Sequence, residues 1–309
     1  MCEVCTHINV NAYDPTRTTG LRNAFVRELK KRFNELTRDI TLAVYENDVF
    51  GISDPVIKRV KIFQAPGAGA FAFTRSKDKA DAFMKWFQEQ VDSGILQTTK
   101  FDQFGSGIDS AWTNRYVTDT YQRGVQRARY EMQKSGLGVP SMDATGGIGA
   151  AMSSPLHIDR LGLLYSRVFS ELRGITAAMD SQISRILAQG LADGDNPRLL
   201  ARKLVSTING SGIGDLGIKD TLGRFIPARR RAEIMARTEI IRSHHQGMIQ
   251  EYENWKVDGV VVKAEFQTAG DDRVCPDCSS LEGNVFTLEV ARNLIPVHAQ
   301  CRCIVLPYV

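Results

Sequence analysis

No run in this 309-residue sequence reaches the ~18 consecutive apolar residues that would cross a bilayer. Its first residues, MCEVCTHINVNAYDPT, lack the basic start and apolar stretch of a secretory signal. A soluble protein made in a reducing compartment is expected. Neither sign of charge dominates: 39 Lys and Arg against 35 Asp and Glu leave +4, too little to identify a nucleic-acid binder by itself. The G-x-x-x-x-G-K-[ST] phosphate loop, the G-x-S-x-G nucleophile turn and the H-E-x-x-H zinc helix are all absent, and no internal repeat is evident. Cysteine is missing from the 269 residues between Cys5 and Cys275, while four of the six cysteines (Cys275, Cys278, Cys301, Cys303) crowd into the last 35 residues. That distribution argues against a disulfide framework spread through the fold and for local chemistry at one end. Cys2 and Cys5 read as exposed terminal thiols.

What is present is helical periodicity over most of the chain, in a composition (43% hydrophobic, 24% charged) ordinary for a globular protein. The length suggests two domains. Leu21, Phe25, Leu29, Phe33, Leu36, Ile40 and Val44 recur at three- and four-residue steps, one face of a helix about two dozen residues long. Its other face is basic: residues 17–38 hold seven Lys or Arg, among them Arg27, Lys30 and Lys31, against two Glu. A second helix is marked by Ala80, Phe83, Phe87 and Val91, and a third by Ile108, Trp112, Tyr116, Val125 and Met132, with Arg123 and Arg127 among its polar residues. Residues 136–155, with five glycines and two prolines, read as a hinge unable to hold a helix, so domains are expected at 1–135 and 156–309. Beyond it a long helix from Ile158 to Ile186 is expected to end at Gly190 or Gly194. Asn196-Pro197 then reads as a cap and first helical residue, residues 209–217 as a loop, and 228–254 as a further helix opening on Arg229, Arg230 and Arg231. Solvated helix surface is one reading of these basic groups; contact with DNA or an acidic partner is the other.

The period then changes to two. Val260, Val262, Ala264 and Phe266 mark a half-buried strand, 281–286 a turn into a second strand, and 304–306 a third. The expected fold is therefore α+β, predominantly helical, ending in a small β module that carries the cysteines. Within it the spacing is Cys275-x2-Cys278, nineteen residues, then His298-x2-Cys301-x-Cys303. Zinc takes four N or S ligands in a tetrahedron, and a C-x2-C turn supplies two from one short knuckle. Closing the intervening loop costs about 3 kcal/mol, against ~10–16 kcal/mol of apparent structural-zinc binding. Five donors compete for four places: on a strand, Cys301 and Cys303 would share a face and leave His298 out. Disulfides and unligated buried thiols are the alternatives. His244-His245 point about 100° apart on a helix, a poor chelating pair, and read as surface or partly packed. Asp271-Asp272 reads as a turn before the knuckle.

One ordered string remains: Ala236-Arg237-Thr238-Glu239 on a helix; Thr268-Ala-Gly-Asp-Asp272-Arg273-Val-Cys275-Pro-Asp-Cys278; Leu281-Glu-Gly283; Pro296-Val-His298; and Cys301-Arg302-Cys303. Over residues 195–309 this resembles the phage Mu F-like minor head, or head morphogenesis, proteins, departing from the family pattern at Val297 and at Ala299-Gln300. The resemblance implies a tailed-phage or prophage protein made in the bacterial cytoplasm and carried in the virion, inside the capsid near the portal vertex. Portal protein, capsid or scaffold proteins and packaged DNA are its implied partners. It also implies a structural Cys/His group and structural roles for Arg237, Thr238, Glu239, Asp272, Arg273, Gly283 and Arg302. An ADP-ribosyltransferase-like or zinc-dependent activity on the same module is the competing reading, since Mu F-like modules also resemble parts of phage-carried toxins. Charge divides with the string: residues 257–309, with four basic against seven acidic residues, carry −3, and residues 1–256 carry +7.

Overall fold

A computed structural model describes residues 14–52, 76–99, 110–210, 224–257 and 263–308. The chain is predominantly α-helical with a small antiparallel sheet at its C-terminal end. In order come α1 (Thr19–Thr41), continued by one wider π-helical turn (Leu42–Glu46), α2 (Ser76–Gly94), the short strands β1 (Thr98–Thr99) and β2 (Ser110–Ala111), and α3 (Asn114–Lys134). A 3-10 turn (Asp143–Thr145), α4 (Gly147–Met152), α5 (Pro155–Ala192), α6 (Pro197–Asn209) and α7 (Ala228–Val257) follow. The C-terminal end holds β3 (Lys263–Gln267), α8 (Pro276–Ser279), β4 (Val285–Phe286), α9 (Leu288–Ala291) and β5 (Ile304–Tyr308). None of the described helices is long and apolar enough to cross a membrane.

Two compact units are distinguished. One comprises Arg27–Trp112 and Ser170–Glu233. Its core is built from the apolar faces the periodicity marks: Leu29, Phe33 and Ile40 of α1, Phe83 and Phe87 of α2, Met179 and Ile183 of α5, and Leu200 and Leu204 of α6, all fully buried. Each such side chain contributes roughly 1.5–3 kcal/mol of transfer free energy. α6 starts as its sequence dictates: the Asn196 side chain accepts from Leu199 N at 2.9 Å, and Pro197 occupies the first turn, where no N–H is needed. It stops at Gly210, whose φ of +91° suits glycine. Residues 211–217 of the expected loop lie outside the described residues.

The other unit comprises Met1–Val26, Thr113–Phe169 and Ile234–Val309. Its core joins Ala128 and Met132 of α3, Ile241, Met248, Ile249 and Tyr252 of α7, Ala264 and Phe266 of β3, and the four C-terminal cysteines. α3 and α7 meet backbone to backbone. A Cβ on Gly124 would fall closer than 3.0 Å to the His244 carbonyl oxygen, and one on Gly247 closer than 3.0 Å to that of Tyr121. Behind this crossing lies a buried polar network. Glu251 accepts from Arg129 Nε at 2.7 Å and from Trp255 Nε1 at 2.9 Å, and His157 bridges Tyr121 Oη (2.9 Å) and Asn254 (3.0 Å). Arg129 also donates to the Pro140 carbonyl at 3.1 Å and to Thr145 Oγ1 at 3.2 Å, which fastens the glycine-rich segment to α3.

Several local expectations are corrected. The glycine-rich stretch does hold a helix, α4, because Gly146 and Gly147 take φ of +89° and +79° before a run of small residues that re-enters helix. α3 begins at Asn114; Trp112 precedes it, its indole N–H bound to the Ile95 carbonyl at 2.9 Å, and Ile108 lies outside the described residues. Gly190 sits inside α5, where its missing Cβ admits Asp195 and Leu200, and the left-handed residue after the helix is Gly194 (φ +72°). His244 and His245 are both buried, each 2% exposed, not surface groups. The strand opens at Lys263, with Ala264 and Phe266 inward, while Val260 and Val262 lie outside the described residues, as do Cys2 and Cys5.

Candidate metal centre

The sheet has the order β4-β3-β5, all antiparallel. Pairing of Gln267 with Ile304 sets the end of β3 beside the start of β5. The loop leaving β3 and the loop entering β5 are thereby brought together, one carrying Cys275 and Cys278 and the other His298, Cys301 and Cys303. Cys301 and Cys303 lie in the loop before β5, not on a strand, so strand alternation does not decide their directions.

The first knuckle is a helix start. Cys275 caps α8 with extended backbone, its sulfur accepting from Cys278 N at 3.4 Å, and Pro276 fills the first helical position. Gly283, at φ +72°, turns the chain into β4 and donates its N–H to the Phe266 carbonyl at 2.9 Å. In the second segment Cys301 N donates to the His298 carbonyl at 3.2 Å, closing a four-residue turn. His298 Nε2 lies 3.2 Å from the sulfurs of both Cys275 and Cys278. The ligand atoms of Cys275, Cys278 and His298 lie within 4.8 Å of one another, and so do those of Cys278, Cys301 and Cys303; Cys278 is common to both groups.

The four sulfurs are buried, at 1–4% exposure, with no disulfide among them. Hydrogen bonds from Cys278 and then Cys303 pull the Cys301 thiol down to about 2, and the same bond to Cys301 pushes the Cys278 thiol up. His298 Nδ1 is 2.8 Å from the Ala299 carbonyl, which can only accept, so the proton sits on Nδ1 and Nε2 presents its lone pair to the sulfurs. Buried sulfurs with one imidazole can hold a metal ion, and soft N/S donors of this kind suit zinc.

Two clamps hold the second segment in place. Arg302, between the two cysteines, donates both terminal nitrogens to Asp271, at 2.7 and 2.6 Å, in the bidentate form that gives Arg–carboxylate pairs their geometric specificity. Arg273 adds a third bond at 2.8 Å. The Arg302 hydrogen bonds hold the Asp271 carboxyl well below the usual carboxylate range. The acidic partner is Asp271, and sequence inspection singled out its neighbour Asp272. The second clamp comes from α7: Arg237 Nη1 donates to Gln300 Oε1 at 3.0 Å, and Thr238 Oγ1 accepts from Gln300 N at 3.1 Å. Gln300 has φ of +62°, a left-handed conformation in which a non-glycine residue needs such support. Glu239, buried, pairs with Arg167 and Arg242 at 3.3 and 3.2 Å. Gln300 carried no signal by residue type; only its position next to Cys301 marks it.

The basic residues fall in separate places. Arg27, Lys30, Lys31 and Arg38, with Asn34 and Glu35, line a shallow open hollow on α1. Arg229 bonds Asn34 there at 3.2 Å, and Lys30, Arg229 and Arg230 share the buried Glu233 at 3.7, 3.8 and 3.4 Å. Arg231 is half-buried, and burial lowers its pKa. Arg123 and Arg127 stand on α3 in the other unit, with Arg127 paired to Glu131 at 2.5 Å.

No curated protein and no solved structure matches the chain. The stretch from the end of α5 into β5 contains the complete Cys/His cluster and both clamps. Over those residues, 181–306, the chain matches the family model of phage Mu protein F like protein.

Proposed function

We propose that the protein is a non-enzymatic minor head component of a tailed phage or prophage. In this reading it is held inside the capsid near the portal vertex and acts in head morphogenesis. The observation that carries the reading is the family match over 181–306, coinciding with motif residues that converge on one Cys/His cluster. The cluster is read as a structural zinc centre: four of Cys275, Cys278, His298, Cys301 and Cys303 would hold the ion, which when bound ties the two loops together. The residues themselves supply the rest, with Asp271–Arg302 and Arg237–Gln300 fixing the loop that carries Cys301. The basic hollow on α1, extended by the start of α7, is read as a sequence-tolerant contact for the phosphates of packaged DNA.

Two measurements test this. Mass spectrometry of purified heads should find the protein in a few copies, and it should co-purify with the portal protein. Heads that contain none of it, from a strain expressing it, would refute the assignment.

A further inference from the structure

The zinc reading leaves five donors for four places, and the geometry points to a specific shell: we infer that Cys275, Cys278, His298 and Cys301 bind the ion and that Cys303 stays outside it. The inference rests on the zinc reading and adds the identity of the ligands.

Three features select His298. Its Nε2 is equidistant, at 3.2 Å, from two sulfurs. A neutral imidazole nitrogen has one lone pair and can satisfy one thiol donor, whereas a single ion between the three atoms satisfies all of them at once. Zinc at about 2.3 Å from sulfur and about 2.0–2.1 Å from nitrogen sets tetrahedral S and N ligands about 3.6 Å apart. The observed spacing is within half an ångström of that. The opposite ring nitrogen is tied to the Ala299 carbonyl at 2.8 Å, the outer contact that fixes the tautomer of metal-binding histidines.

Cys301 is favoured over Cys303 by the local backbone. His298 and Cys301 are the two ends of one closed turn, with Cys301 N bonded to the His298 carbonyl at 3.2 Å, so H-x2-C repeats the two-donor knuckle made by C-x2-C. The residue before Cys301 is pinned by Arg237 and Thr238. Cys303 instead immediately precedes Ile304, whose place is set by pairing with Gln267 in the sheet. The sulfurs of Cys301 and Cys303 are both grouped with that of Cys278 and neither with Cys275 and His298, so the choice between them rests on these backbone turns.

X-ray absorption at the zinc edge of the full-length protein tests the assignment without any activity. Three sulfurs at about 2.3 Å and one nitrogen at about 2.0–2.1 Å are expected; a four-sulfur shell would overturn it. Cys303→Ser should retain one zinc per chain with an unchanged spectrum, while Cys301→Ser should lose at least tenfold in zinc affinity. The reverse order of the two variants would overturn the assignment while leaving a zinc centre intact. A wild-type chain that takes up no added zinc would overturn both this inference and the zinc reading beneath it.

Discussion

Replacing Gly124 with alanine tests the packing that frames the cysteine module, because two effects of opposite sign compete. In an exposed helix, Gly→Ala stabilises by about 1 kcal/mol, the difference in helix propensity. At Gly124 the new methyl meets the carbonyl oxygen of His244 on α7, a backbone atom that no rotamer change can move. Relief requires α3 and α7 to separate, which loosens the packing of Met248 and Val125, both fully buried. Overpacking of this kind costs about 1–3 kcal/mol and sometimes more. Taking the upper value, because the obstacle is backbone, leaves a net loss of about 2 kcal/mol after the propensity gain. Gly162 on α5 is the internal control, exposed and with nothing within 4 Å of where an alanine methyl would stand; there alanine should gain about 0.5–1 kcal/mol. Urea unfolding followed by circular dichroism measures both, and the midpoints should move in opposite directions with unchanged slopes. A Gly124→Ala protein at least as stable as wild type would refute the close approach of the two helices.

Other expectations follow from the same geometry. Asp271→Asn removes the carboxylate that Arg302 grips with two bonds; zinc affinity should fall by about 10–100-fold, and competition against a metallochromic chelator would show an unchanged constant if the clamp does not position Cys301. Burial lowers the pKa of His244 to about 3 and of His245 to about 4. Their folded values lie below the unfolded 6.5, so the native state loses stability as pH falls below 6.5, by as much as ~2.7 kcal/mol per pH unit for two protons. Urea midpoints that stay level from pH 7 to pH 5 would contradict this, and Asn at either position should halve the slope. Lys30→Glu with Lys31→Glu reverses charge in the α1 hollow; DNA affinity should drop and the salt slope shrink by about one for each phosphate no longer neutralised. Equal binding by the double variant at every salt concentration would remove that surface from the DNA reading.

Legibility differed sharply between elements. α1, α2 and α5 each have one apolar stripe, so their periodicity exposed them. α6 carried its own start signal in Asn196-Pro197. α7 is different: between Glu239 and Tyr252 it is buried almost all round, although Glu239, Ser243, His244, His245, Gln246, Gln250 and Glu251 are polar. By pattern it resembles a surface helix. Its polar groups are satisfied by partners distant in sequence: His245 and Gln246 bond the carbonyls of Ala291 and Arg292 at 2.8 and 2.7 Å, and Glu251 takes Arg129. Nothing local announces such partners, although a glycine in mid-helix, Gly247, hints at a close neighbour.

The sequence by itself determined everything that depends on short spacing: the C-x2-C and H-x2-C turns, the helix caps, the strand periodicity before the cysteines, and the ordered string that resembles the phage Mu F-like proteins. These are local because a turn or a helix face is set by residues a few positions apart. Tertiary structure alone decided which acidic residue grips Arg302, that Arg237 and Thr238 hold Gln300, that the adjacent histidines are buried, and that His298 turns its bare nitrogen toward two sulfurs. Each of those depends on chain segments tens of residues apart being brought within hydrogen-bonding distance by the β3–β5 register and the glycine-lined crossing of α3 with α7, and sequence spacing carries no record of that distance.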